Sequence, residues 1–434
     1  MNRSRSLKSR PPGILLTTLG VVATLAGAGA RADGLADLFD GRLPNNFPFP
    51  DGAGTAATFS TAGFVDLTNP FHVPQGSNGR SCESCHLPQV GWSIRPIDVE
   101  LKFLLTQGND PIFNPMDANS PTPDVSSLEA KRASYSMLRK GLFRRGGTIP
   151  ATGEFVIESF DDPLGAGASP TTVQAFRRPL ATANFHIAMN IGWHDQNTNG
   201  SGIVADGLFK QADGNITGGQ EGPKPLPETV HAIVNYELGL AFAQQFSFSA
   251  GLLTACGAKG GPENLSAQLP AKGHFDLFDA WKDLKPGSCG TKAVDRKRAQ
   301  IARGQEVFNS TGCNGCHNAV NNGSNFDGKL FDIHASQVQH RKPGMPLYTM
   351  RNKTTGEVHQ TTDPGRALRT GKWTDMDRFK VPSLRGLSAR APYFHNGIAA
   401  TLDEVVSHYE AELSFKFDEK PGDREALIAF LEAL

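Results

Sequence analysis

Two short motifs of one form constrain this chain more than anything else in it: Cys82-Glu-Ser-Cys-His86 and Cys313-Asn-Gly-Cys-His317. Two thiols separated by two residues, with an imidazole directly after the second, can add across the vinyl groups of a haem and bind its iron from one face. Paired Cys-x-x-Cys units can also build a zinc site of four thiolates. A histidine in the same relative place in both motifs favours haem. The chain is therefore read as carrying two covalently bound haem c groups, one on Cys82 and Cys85 with His86 on iron, the other on Cys313 and Cys316 with His317 on iron.

The N-terminus reads as an export signal. Arg3, Arg5, Lys8 and Arg10 precede an apolar run from Ile14 to Leu25, and small residues follow to Ala30-Arg-Ala32. That is a secretory leader over residues 1–32, cleaved after Ala32. The run is shorter than the roughly 20 residues of a membrane span. A periplasmic location follows as the expectation. The chain has 43 basic and 43 acidic residues, and the leader takes five basic and no acidic ones, so the remainder is slightly acidic. Such a balance argues against nucleic acid as partner and suits a basic redox protein. Of the six cysteines, the motifs use four. Cys256 and Cys289 remain, and in an oxidising compartment two leftover thiols pair as a disulfide.

Helical periodicity appears where the motifs need support. Asp295 to Phe308 places Ile301, Gly304, Val307 and Phe308 on one face and delivers the chain into Cys313. Thr401, with Glu404 completing a capping box, starts a helix, and Asp423 starts another whose Leu427, Phe430, Leu431 and Leu434 form an apolar face. In the first half, Pro227 to about Phe246 reads as a helix through Val230, Ile233, Val234, Leu238, Ala241 and Phe242. Residues 87–180 look like elaborated loop, and the Gly/Pro-rich stretch after 250 like a tether. The expected architecture is mainly α and loop-rich, with two cytochrome c-like domains: an enlarged N-terminal domain at 33–250, a linker at 251–293 and a C-terminal domain at 294–434.

The stretch Phe379-Lys-Val-Pro-Ser-Leu-Arg-Gly386, followed by Ala391-Pro-Tyr-Phe-His-Asn-Gly397 and Ala400-Thr-Leu-Asp-Glu404, resembles the C-terminal signature of bacterial di-haem cytochrome c peroxidases and MauG-type enzymes. Arg178-Pro-Leu-Ala-Thr-Ala-Asn184, leading to Trp193-His-Asp195, looks like that family's stretch ending in Trp-Asp-Gly. The resemblance implies reduction of hydrogen peroxide at the N-terminal haem, with electrons from a small soluble donor, a cytochrome c or a cupredoxin, entering at the C-terminal haem. It implies Trp193 as the electron carrier between haems, Gln211 and Glu221, at the family's ten-residue spacing, on the open face of the first iron, and Met376 as the second ligand opposite His317, with Met345 and Met350 as rivals. A carboxylate above iron can move a proton between the two oxygens of peroxide.

The resemblance also admits a homodimer and a calcium ion between the domains, although Arg178 stands at the family's calcium asparagine, with Asn184 near. Residues 87–175 are an insertion beyond the usual family interval. Trp92 is expected to pack on the first haem, His186 and His194 are alternatives for a resting sixth ligand, and Arg385 and Arg390 suit haem propionates. Two other readings stay open: a MauG-like or oxygenase-like enzyme oxidising a protein or organic substrate, and a non-enzymatic di-haem electron carrier.

Overall fold

The computed structural model describes residues 32–434; the expected leader lies outside them except for Ala32. Among the described residues no helix is long and apolar enough to cross a membrane.

The helix expected before the second motif runs from Lys292 to Ser310. The Thr291 side chain accepts from the Val294 N–H at 3.3 Å, satisfying an end-of-helix donor. Its buried face carries Ile301, Gly304, Val307 and Phe308 and packs against the C-terminal helix Asp423–Glu432. Gly304 permits that approach, since a Cβ there would run into the carbonyl oxygen of Ala426. The helix Leu402–Leu413 starts at Thr401, whose hydroxyl accepts from Glu404 N–H at 3.1 Å. The other half of the expected capping box shifts by one residue: Glu404 accepts from Ala400 N–H at 2.7 Å. Phe308, Phe430, Leu402, Val406 and Leu427 close a core over the second motif.

The mainly α expectation is overturned. Thirteen strands form five sheets among the described residues, so the fold is mixed α and β. The helix expected over 227–246 ends at Leu238, and after Gly239 the chain continues as a strand, Leu240–Ser247. This strand pairs antiparallel with Gly54–Ser60 and lies inside a four-stranded sheet. It is buried along most of its length, and the short apolar run Leu240–Ala243 with which it starts satisfies helix and strand periodicity alike. The partner strand, nearly two hundred residues upstream, decides the outcome.

The inserted region is ordered. Its helix Pro96–Thr106 buries Val99 and Phe103 in a core with Ile112, Phe113, Tyr135 and Leu138, against which Cys85 of the first motif packs. Strand Phe143–Thr148 pairs with Thr172–Arg177, and Phe155–Asp161 pairs with Leu347–Asn352 of the C-terminal half, which in turn pairs with Val358–Thr361. A sheet therefore joins the insertion to the second half. Beside it Arg177 donates to Asp363 through Nε at 2.6 Å and Nη2 at 2.7 Å, both side chains buried.

Residues 251–293, expected as a linker, do not hang free. Leu253, Ala258, Phe275, Leu277, Phe278 and Trp281 enter the second core, and Cys256 and Cys289 form a disulfide with Cα atoms 6.2 Å apart. The Gly and Pro residues that suggested a tether shape the turns between these buried anchors.

Candidate functional site

The first motif is a single 3-10 turn, Cys82–Ser84, that ends in His86. The His86 Nδ1 lies 3.0 Å from the Trp92 carbonyl oxygen, which makes Nδ1 the protonated nitrogen and leaves the Nε2 lone pair free for a metal. Burial lowers the His86 pKa to about 4, so the ring is neutral at physiological pH. Burial pushes both thiols, Cys82 and Cys85, upward. Trp92 acts on this site through its backbone: its indole is fully buried, donates to Thr58 Oγ1 at 3.0 Å, and stands outside the cavity wall.

The motif opens on a cavity of about 460 Å³, walled by Cys82, Cys85 and His86, by the segment Arg177–Thr182, by Trp193 and His194, and by Gln211, Gln220 and Glu237. Gln211, on the helix Val204–Gly214, lines this cavity. Glu221 does not. It is exposed, has a left-handed backbone (φ 56°), and accepts from Asn114 Nδ2 at 3.3 Å outside the wall. Its neighbour Gln220 turns inward instead, held by Gln75 N–H at 2.9 Å and with Nε2 3.9 Å from Cys82 Sγ.

The carboxyl that does face the cavity is Glu237, which is 1% exposed. Its Oε2 has no hydrogen-bond partner, and burial raises its pKa to about 8, so it holds a proton at neutral pH. A signal for it existed in the sequence: Glu237 falls three and four residues after Val234 and Ile233, a charged residue on the apolar face of its helix.

The second motif has the same local design. His317 is buried, its Nδ1 is 2.5 Å from the Gly323 carbonyl oxygen, and burial lowers its pKa to about 4. The adjoining cavity, about 160 Å³, is lined almost wholly by apolar side chains, among them Phe308, Phe379, Val381, Leu402 and Val406. Met376 is not in this wall. It packs beside Phe155, Ile157 and Met350 in a separate core, and Met345 lies in a third, so none of the three methionines reaches His317. The wall offers other donors, and most are engaged: Tyr393 donates to the Leu387 carbonyl at 3.1 Å, Lys380 to the Asn190 carbonyl at 2.6 Å, and His395 Nε2 meets Ser336 Oγ at 3.2 Å. Tyr409 is the remaining one. Burial, with the Cys313 and Cys316 thiols adding to it, pushes its phenol up, and its hydroxyl makes no hydrogen bond to the described residues.

Trp193 lines both cavities. Its Nε1 donates to the Arg178 carbonyl at 2.6 Å and its ring meets His395 edge-on at 6.1 Å, which fixes the indole between them.

Buried, unpaired donors test whether haem fits. Arg80, in the first wall, pairs Nη2 with Asp117 at 2.6 Å and leaves Nη1 without a partner; Arg385, 1% exposed and outside both walls, leaves Nε and Nη2 without one. A buried guanidinium N–H with no acceptor is costly, and a carboxylate such as a haem propionate would satisfy Arg80 at the first cavity. With the thiol pairs and neutral imidazoles, the residues fit haem at both places. Arg390 spends its donors on the Ser383, Arg385 and Gly386 carbonyls. His194 lines the first cavity with Nδ1 2.9 Å from Arg177 Nη1, whereas His186 points Nε2 at the Leu265 carbonyl, away from it. Asn184 exchanges hydrogen bonds with the Phe242 backbone at 2.8 and 3.0 Å, and Arg178 caps the Gly141 and Arg390 carbonyls. Neither is free for calcium, and among the described residues no group of three or more His, Cys, Asp or Glu side chains forms a metal site.

No family model matches the chain. It is similar to cytochrome-c peroxidase IdrP1 of Denitromonas iodatirespirans, 33% identical over 175 residues, 36% of this chain and 44% of that protein. It is 30% identical over 161 residues to cytochrome c551 peroxidase of Pseudomonas aeruginosa, 37% and 38% of the two chains. To methylamine utilization protein MauG of Methylorubrum extorquens it is 42% identical over 65 residues, 13% and 18%. Each match thus spans less than half of the relative's length. Among solved structures, a MauG-like protein associated with microbial copper homeostasis overlays with a TM-score of 0.36 at 16% identity, covering 59% of this chain and 73% of that one.

Proposed function

We propose that this chain, a relative of the bacterial di-haem cytochrome c peroxidases and MauG, is an exported di-haem oxidoreductase that reduces hydrogen peroxide with electrons from a small soluble redox protein. Haem c held by Cys82, Cys85 and His86 would supply the peroxide-binding centre, and haem c held by Cys313, Cys316 and His317 the electron-storing one. The observation that carries the reading is Trp193, one indole in the walls of both cavities. A carrier protein has no need of a spacious, polar-walled cavity with a buried acid at one of its two haem motifs, and here one has it.

The residues divide the work by chemistry. The Glu237 carboxyl holds a proton at neutral pH and can give it to a departing oxygen. Gln211, an amide, can orient peroxide but cannot transfer its proton. The neutral imidazoles of His86 and His317 are fixed by backbone carbonyls, so their ligating nitrogens do not compete for protons. The apolar second cavity would keep water from a haem held there, which suits electron storage, and Tyr409, whose hydroxyl is unengaged among the described residues, is the wall residue that would hold the group together with His317.

Steady-state turnover of the purified di-haem protein with hydrogen peroxide and a reduced cytochrome c tests the reading; a rate at background ends it. Glu237→Gln should lower turnover by about 10² to 10⁴, the usual contribution of a positioned acid, while Glu221→Gln should stay near wild type. The reverse pattern returns the acid role to Glu221. A second reading, oxidation of a protein or organic substrate in the manner of MauG, is favoured by one observation: two tyrosines, Tyr393 and Tyr409, and no methionine line the second cavity. Rapid spectral change with peroxide, without oxidation of cytochrome c, would select it.

A further inference from the structure

Of the chain's five tyrosines, three donate their hydroxyls to backbone carbonyls: Tyr135 to Phe113 at 2.7 Å, Tyr348 to Gln174 at 2.8 Å and Tyr393 to Leu387 at 3.1 Å. Tyr409 faces the second cavity. Tyr236 alone has its hydroxyl on a titratable base: it lies 2.8 Å from His72 Nε2. The other ring nitrogen, His72 Nδ1, stands 2.8 Å from Glu83 Oε2, and both side chains are buried. Glu83 belongs to the first haem motif itself, between Cys82 and Cys85.

The surroundings are aromatic. The Tyr236 ring meets Trp92 at 5.8 Å and Phe71 at 5.5 Å; Phe71 lines the first cavity, and the residue after Tyr236 is the cavity acid Glu237. Trp92 touches His86 through its carbonyl but gives its indole N–H to the Thr58 hydroxyl, which cannot take a proton at physiological pH. Loss of an electron from a phenol makes its proton strongly acidic, so a buried tyrosine is oxidisable only where a base is in hydrogen-bond reach to accept that proton. His72 is such a base, and Glu83 steadies the positive ring that results.

We infer that Tyr236 is a one-electron donor to the first haem site, coupled to transfer of its proton to His72, whose other ring nitrogen faces Glu83. This rests on the proposed peroxide chemistry. Hydrogen peroxide is the oxidant; its reduction to two waters consumes two electrons and two protons, and Tyr236 supplies one of those electrons when the second haem has none to give. In that step the phenolic O–H bond breaks, an N–H bond forms at His72 Nε2, one electron passes to the peroxide-oxidised site, and a neutral tyrosyl radical remains. The phenol is regained when an electron later arrives and His72 returns the proton.

The full-length protein with both haems attached, free of donor, is mixed with hydrogen peroxide, frozen rapidly and examined by electron paramagnetic resonance. The expected result is a radical signal that narrows when the tyrosines are ring-deuterated, is absent in Tyr236→Phe, and falls by at least about tenfold in His72→Gln, which keeps the phenol and removes the base. Phenylalanine keeps the ring that packs on Trp92 and Phe71, and intact mass confirms both haems in each variant. An unchanged signal in Tyr236→Phe, or no organic radical while the haem spectrum shows that peroxide has reacted, overturns the inference and leaves the peroxide chemistry standing. If peroxide leaves the haem spectrum untouched, the functional reading fails, and a photogenerated ruthenium(III) polypyridyl oxidant replaces it on the same variants: a radical dependent on Tyr236 and His72 supports the relay, and its absence overturns it.

Discussion

Glu237→Gln should change how stability depends on pH. Glu237 has an ordinary carboxyl pKa of 4.5 when unfolded and about 8 in the folded protein, raised by burial. Because the folded state binds the proton more tightly, the folded form carries more protons than the unfolded one between those two values. Stability therefore falls as pH rises through the window, by about 1.4 kcal/mol per unit. From pH 5 to pH 7 the wild-type protein should lose about 3 kcal/mol through this group alone, levelling at about 5 kcal/mol above pH 8. Glutamine has nearly the same shape and no proton to lose, so the variant should lack this slope while every other group titrates as before. The difference between the two curves isolates Glu237. Guanidinium unfolding at pH 5, 6, 7 and 8, followed by circular dichroism on protein with both haems attached, provides the measurement. Parallel curves would falsify the assignment: the carboxyl would then already be ionised in the fold, and a proton donor for the cavity would have to be found elsewhere.

Three other outcomes are expected. Intact mass should exceed that of the leader-free polypeptide by two haems, and Cys82→Ala with Cys85→Ala should remove one of them. Met376→Ala should cost about 2 kcal/mol or less, the low end for a methionine because the side chain is only half-buried, and should leave the spectrum of the second haem unchanged, whereas Tyr409→Phe should shift it. Arg177→Ala should destabilise by about 3–5 kcal/mol at neutral pH, since it strands a buried carboxylate; burial alone would raise the pKa of Asp363, but Arg177 outweighs it and holds the carboxyl at about 2. That contribution is fully present above the ordinary value of 3.8 and is lost as pH falls toward 2, so unfolding curves of wild type and variant should converge in acid.

What was legible in the sequence is what short-range chemistry decides. The Cys-x-x-Cys-His turns, the helix before the second motif, and the disulfide between the two leftover cysteines all follow from residues that are neighbours or from simple pairing, and each is in place. The strands were not legible, because their partners are far away in the chain: nothing in Phe155–Asp161 announces Leu347–Asn352, and Leu240–Ser247 obeys a helix pattern until Gly54–Ser60 lies beside it. The same limit explains the site. Spacing along the chain identified Gln211 and Glu221, yet spacing does not say which way a loop faces, and the left-handed turn at Glu221 sends Gln220 inward and Glu221 out.

Met376 failed in a related way. It lies three residues before the signature strand Phe379–Lys380, whose residues line the cavity, while Met376 itself packs with Phe155 and Ile157 of the inserted strand. Proximity in sequence to the signature therefore carried no information about proximity to His317. Burial of a group that ought to be outside carries more. Glu237 sits where helical periodicity asks for a leucine, in a core of Val230, Ile233 and Val234, and a carboxyl placed there is stable only when protonated. A fold gains nothing from that arrangement at neutral pH, and the cavity beside Cys82 gains a proton that water cannot wash out. The cost to stability and the use in chemistry come from one property, so a single substitution tests both: if Glu237→Gln flattens the pH dependence of unfolding and also lowers peroxide turnover, the buried acid is retained for the reaction. If the unfolding curve flattens while turnover is untouched, the proton is a passenger of burial and the cavity takes its protons from solvent.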